Sequence, residues 1–223
     1  GLINIDETDA VTLADVDTFN GSITIDSGNT MTATDVVSSN DDDANDITLQ
    51  AAAGDVLVGV VDAGTTAGDV SITATAGGIV DGTADDTVAD VDTVDGSITI
   101  DSGNTMIATD VVSLNDDDAN DITLQAAAGN VLVGVVNAGS TSGDVSITAT
   151  AGGILDGTAD DAVADVIGDD LVLTAQSAVG EADASGNASL DTTANTLDVS
   201  VTAAGLINID ETDAVTLADV DTF

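Results

Sequence analysis

The sequence predicts an all-β protein, a parallel β-helix (β-solenoid) with about 25 residues per coil. Three observations predict it. A strand phrase, DVSITATAGG at residues 69–78, returns unchanged at 144–153 and in looser form as DVSVTAAGLI at 198–207. The chain repeats on nested periods. Its apolar residues are small or β-branched, with Phe19 and Phe223 the only aromatic side chains.

Within the phrase, Val70, Ile72 and Ala74 point one way while Ser71, Thr73 and Thr75 point the other. Such alternation marks a strand with one buried face. Variants surround it: GSITID from Gly21 and Gly96, DITLQA from Asp46 and Asp121, DDLVLTA from Asp169. One strand cannot bury its apolar face alone, but a stack of related strands can. The predicted core therefore includes Ile23, Ile25, Ile47, Leu49, Val56, Val58, Val70, Ile72, Leu171, Leu173, Val199 and Val201. A core without large rings must be narrow and layered. With no proline in the chain, Gly, Asn and Asp supply the turns.

The repeats predict one continuous solenoid segment, residues 1–223, within a longer tandem array. Residues 1–19 are identical to residues 205–223, a 204-residue period, so the second copy restarts the first. Inside that unit, residues 14–88 recur as 89–163 with few changes, a 75-residue period. Thr32 becomes Ile107, Ser39 becomes Leu114, Val80 becomes Leu155, and Asp55 and Asp62 become Asn130 and Asn137. The two losses of charge are expected at solvated turns. Each block divides again at Gly21, Asp46 and Gly68, and residues 164–204 hold two divergent coils beginning near Gly168 and Leu197. The last aligns without a gap onto an earlier coil, Asp69–Val94 against Asp198–Phe223. A tandem of β-sandwiches is the rival architecture, and the division of each block into thirds counts against it. The chain begins at Gly1 without Met, as expected of a fragment or processed product.

Charge sets the limits on partners. There are 42 acidic residues and no Lys, Arg or His, a formal charge of −42. Nothing could neutralise phosphates, so nucleic acid is excluded on electrostatic grounds, and an anionic membrane would repel the chain. Divalent cations and cationic polymers fit. Cysteine is absent, leaving no disulfide framework. No stretch reads as a signal peptide or as a membrane-inserting helix.

The phrases GDVSITATAGGI, GSITIDSG and DITLQAAAGDV resemble the repeat regions of filamentous haemagglutinin-type exoproteins. More broadly, the chain is similar to giant β-strand-repeat surface proteins and adhesins of bacteria. The resemblance covers nearly the whole sequence. It implies a right-handed coil, secretion, and display as a long fibre used in adhesion or a biofilm matrix. The lack of Lys and Arg departs from that family. The GGxGxD nonapeptide of calcium-binding repeats is also missing, so its metal sites are not carried over.

Without His, Cys, Lys, Arg or Tyr, neither a Ser-His-Asp triad nor a thiol nucleophile can be assembled. Carboxylate pairs could serve a glycosidase, but repetition singles out no coil, and the chain is expected not to be an enzyme. The acidic runs NDDDAND at 40–46 and 115–121 suit Ca²⁺, which takes six to eight oxygen ligands. Candidate ligands are Asp41, Asp42, Asp43, Asp46, Asp116, Asp117, Asp118 and Asp121, with further pairs at Asp85/Asp86 and Asp160/Asp161. Solvated Asx turns explain the same residues without a metal. Thr-x-Thr pairs (Thr32/Thr34, Thr73/Thr75) raise an ice-binding face, although exposed strands favour Thr regardless. The expected function is a rigid acidic rod in an extracellular or cell-surface fibre or adhesin stalk. It would associate with itself end to end or side by side. The alternative is a calcium-dependent adhesive or surface-binding module.

Overall fold

A computed structural model describes residues 1–40, 45–64, 67–82, 90–158, 163–181 and 189–223. Among the described residues every helix or strand is a strand, and every ladder is parallel. The chain winds through three ladders, here faces A, B and C, once per coil. Successive coils lie about 24 residues apart in sequence.

The first coil shows the plan. Strand Ile3–Glu7 lies on face A beneath Ile23–Ser27, Val11–Leu13 lies on face B, and Val16–Thr18 on face C. In the next coil a single strand, Met31–Ser38, turns the corner and pairs with both Val11–Leu13 and Val16–Thr18. Val56–Asp62 turns the same corner one coil later, and Gly59 sits on the bend. A Cβ there would lie 2.4 Å from the Thr34 carbonyl oxygen, and at its repeat, Gly134, 2.3 Å from that of Thr109. Only glycine lets consecutive coils approach so closely at this corner.

Alternation then fills the core column by column. On face A, Ile23, Ile47, Val70, Ile98, Ile122, Val145, Leu171 and Leu197 stack in register. A second column runs through Ile25, Leu49, Ile72, Ile100, Leu124, Ile147, Leu173 and Val199, and all twelve predicted core residues are buried. A third holds only small groups up to Ala175, where the chain leaves the face. Ser27 and Ser102 stand in it because their hydroxyls donate to the turn carbonyls of Asn29 (2.9 Å) and Asn104 (3.1 Å). Face B stacks Met31, Val56, Ile79, Met106, Val131 and Ile154, and face C a run of valines from Val16 to Val166. Each such side chain contributes about 1.5–3 kcal/mol when fully buried. No ring is needed because each layer is sealed by the coils on either side.

The outward columns differ by face. Face A carries an unbroken hydroxyl column, Thr24, Thr48, Ser71, Thr99, Thr123 and Ser146. Face B carries Thr32, then Leu57, Val80, Ile107, Leu132 and Leu155, all half-buried. The repeat changes Thr32 to Ile107 and Val80 to Leu155 both lie in this aliphatic column. Nothing in the structure explains Ser39 becoming the exposed Leu114.

Two of the sequence repeats do not keep structural register. Val199 does not occupy the column of Val70: it pairs with Leu173 in the second core column, whereas Val70 pairs with Ile47 and Ile98 in the first. The gapless match is therefore two residues out of structural register. The identical end segments also differ in phase. Ile3–Glu7 forms one strand on face A, but in the second copy Leu206–Ile207 pairs with Ala178–Val179 on face B, and Ile209–Glu211 with Leu190–Thr192 on face C. Thr216–Thr222 then takes face A. The second copy is therefore not a rotated image of the first: the equivalent of Ile3 moves to face B and that of Ile5–Glu7 to face C, because Leu197 already begins a face-A rung only ten residues before Ile207.

Candidate functional site

With no cationic side chain, every carboxylate must be satisfied by N–H and O–H donors or by solvent. The residue just before each face-A strand shows how. Asp46, Asp69, Asp121, Asp144 and Asp170 occupy this position, with Ser97 between the two repeats. Asp46 Oδ1 accepts the Asp69 N–H at 3.2 Å, and Asp69 Oδ1 accepts the Ser97 N–H at 2.7 Å and its hydroxyl at 3.0 Å. Asp121 Oδ1 accepts from Asp144 N–H, and Asp144 Oδ1 from Asp170 N–H, each at 3.1 Å. Asp46, Asp69, Asp121 and Asp144 thus each cap the strand-entry amide of the following coil. Burial pushes the Asp144 carboxyl up; the Asp170 N–H opposes this, and the charges of Asp121, Asp170 and Asp169 add to it. Asp121, Asp144 and Asp170 border an open groove of about 300 Å³, whose floor carries Thr123 and Ser146.

The second acidic run folds back on the chain rather than outward. Asp116 Oδ1 accepts the amides of Thr141 (3.0 Å), Ser142 (2.6 Å) and Gly143 (3.3 Å). The Thr141 hydroxyl and these amides hold its carboxyl below the usual carboxylate range. Asp117 Oδ1 accepts the Asp118 N–H at 2.8 Å, and Asp118 is exposed. Beneath the run, buried Asn120 donates to the carbonyls of Val94 (3.1 Å) and Asn115, while its Oδ1 has no partner. Asn45, its repeat, is buried too: it donates to the Asn40 carbonyl and accepts the Gly21 N–H at 2.9 Å.

Of the eight candidate ligands, Asp41, Asp42 and Asp43 lie outside the described residues, as do Asp85, Asp86, Asp160 and Asp161. Asp46, Asp116 and Asp121 act as acceptors for backbone amides. Among the described residues no three acidic side chains converge on a point where a metal ion could sit. Neighbouring rungs lie about 4.8 Å apart. Charges at that spacing repel by roughly 1 kcal/mol in water and by roughly 3–4 kcal/mol at an effective dielectric near 20.

Face C holds an acidic pair that the sequence did not single out. Asp62 and Asp92 are register partners on adjacent coils. Asp92 is half-buried and its Oδ1 has no hydrogen-bond partner. Burial first, then the charges of Asp62 and Asp110, push its carboxyl up to about 6. The only hint in sequence is that Asp92 sits two residues after Asp90 in ADVDT, a phrase repeated at three places with different neighbours.

The Thr-x-Thr pairs do not form one array. Thr73 belongs to face A, while Thr32 belongs to face B, where the rungs that follow it are aliphatic. The two Asp-to-Asn changes have a clear basis. Asp55 and Asn130 each accept an N–H through Oδ1, from Gly78 at 2.8 Å and Gly153 at 2.9 Å. Asp62 and Asn137 likewise cap Gly64 and Gly139, whose φ values of +92° and +89° favour glycine. An amide oxygen accepts these bonds as a carboxylate does. No helix among the described residues is long and apolar enough to cross a membrane. No family model, curated protein or solved structure matches the chain.

Proposed function

We propose that the chain is a structural, non-catalytic rod of an extracellular or cell-surface fibre, such as an adhesin stalk or a biofilm-matrix filament. The observation that carries this reading is the uninterrupted stack of coils from Ile3 to Thr222, with one unbroken core beneath it. Backbone hydrogen bonds along three ladders give axial stiffness. The acidic coat keeps rods soluble and apart. Absence of Lys and Arg removes every tryptic cleavage site, a useful property outside a cell. Nine coil steps would advance roughly 43 Å. Small-angle scattering of the purified chain is expected to report an elongated particle of that order in length and constant cross-section; a compact sphere would overturn the reading.

The second reading, a cation-responsive adhesive module, is favoured by the Asp121–Asp144–Asp170 column and its groove. Calcium would bridge rungs or rods rather than fill a cage. Its test is the melting temperature in calcium and in sodium at equal ionic strength. Equal curves would remove any role for calcium beyond screening.

A further inference from the structure

The outward column of face C runs Asp17, Val37, Asp62, Asp92, Val112, Asn137 and Ile167, every member half-buried. Among the described residues, Asp62 and Asp92 are its only carboxylates on adjacent rungs. Two register pairs join their coils on this face, Val61 with Val91 and Asp62 with Asp92. The next block supplies an internal control. Val136 pairs with Val166 and Asn137 with Ile167, so an amide and an aliphatic group stand where the two acids stand. The backbone bond that follows is repeated as well. Ala63 N–H donates to the Asp92 carbonyl at 3.2 Å, and Ala138 N–H to that of Ile167 at 3.0 Å, both alanines being buried.

The side chains that could answer the Asp92 charge are themselves acidic. Val56–Asp62 brings Asp62, Met106–Ser113 brings Asp110, and Val70–Ala74 brings no titratable group. Only the Thr93 amide favours the ionised form. Asp92 Oδ1 is buried without a partner. An anionic oxygen is costly in such a place, whereas a carboxylic acid with an acceptor on the next rung is not. Asp62 can be that acceptor, because its Oδ1 takes the Gly64 N–H at 2.7 Å and its Oδ2 remains.

We propose that Asp62 and Asp92 form a proton-operated clasp between their two coils. Protonated Asp92 donates its O–H to the Asp62 carboxylate and holds the seam shut. When that proton passes to solvent, two anions stand on rungs about 4.8 Å apart, and the seam loosens while the coils on either side stay packed. The raised Asp92 carboxyl puts the change near pH 6, with the clasp closed below and released above. The clasp stands apart from the scaffold reading, which survives its failure.

The test is amide hydrogen exchange of the whole chain at pH 5 and pH 7, corrected for the intrinsic rate. Protection of Ala63 should fall about three- to tenfold between the two, while that of Ala138 holds. Asp92→Asn gives the rung a permanent donor, so Ala63 should keep its pH 5 protection at pH 7. Asp62→Asn retains the Gly64 cap, as Asn137 does for Gly139 at 2.9 Å. It removes the acceptor charge and should cut the Ala63 response to about half or less. Equal responses at Ala63 and Ala138 would assign the titration to global unfolding and overturn the clasp, as would a response that survives Asp92→Asn. A response unchanged by Asp62→Asn would belong to burial alone and overturn the pairing.

Discussion

Asp92 couples the fold to pH. Its carboxyl is raised from 3.8 to about 6, so between those values the folded chain binds more protons than the unfolded chain. The stability it contributes is fully present below about pH 4 and is lost as pH rises through about 6. A displacement of two units corresponds to ~2.7 kcal/mol, reduced to about 1–2 kcal/mol because half the group meets solvent. Urea unfolding at pH 5 and pH 7 should therefore show the chain more stable at pH 5. Asp92→Asn should raise stability at pH 7 and flatten the difference. Asp116 acts in the opposite sense: its carboxyl is lowered, so its contribution is present above the ordinary carboxylate range and fades as pH falls. Asp116→Ala should speed hydrogen exchange of the Thr141, Ser142 and Gly143 amides while leaving those of Ile122–Ala126 unchanged. Neither role was legible beforehand. Asp116 could be seen as part of an acidic run, but the amides it caps lie a full coil away. Asp92 looked like its repeats, and only the register with Asp62 sets it apart.

Along single strands the period of two carried most of the information. Ile72 reads as core and Thr73 as surface directly from DVSITATAGG, and both are so placed. Ile72→Ala should cost about 2–5 kcal/mol, while Thr73→Ala should stay within about 0.5 kcal/mol, as measured by denaturant unfolding. The same period misled at the last coil. A slip of one residue inverts inside and outside, but a slip of two preserves the alternation. DVSVTA therefore matched DVSITA in sequence while sitting two residues away in register, and no rule of patterning could detect it. Turns follow a different logic, in which the acceptor matters and the charge does not. Asp55→Asn should be nearly neutral, as Asn130 already shows by capping Gly153. Asp55→Ala leaves the buried Gly78 N–H unpaired and should cost about 1–3 kcal/mol.

For the whole molecule, the unusual term is a net charge of −42 with no side chain of opposite sign. Repulsion between stacked carboxylates reaches across coils, and salt shortens its range to about 8 Å at physiological strength. The melting temperature should rise steadily with sodium chloride, in contrast to proteins held by ion pairs, and thermal scans across a salt series measure this. Composition and repeats were sufficient to foresee the coil stack, since no aromatic-filled globule could be built from these residues. The faces themselves were not foreseeable, because hydroxyl, aliphatic and acidic columns emerge only when strands far apart in sequence are laid over one another.

The identical segments 1–19 and 205–223 are folded differently: Ile3–Glu7 is one strand on face A, whereas Leu206–Ile207 and Ile209–Glu211 are split between faces B and C. The same nineteen residues thus take their setting from the coil they lie against and not from their own order alone. A template is at work, each rung moulding the one laid upon it.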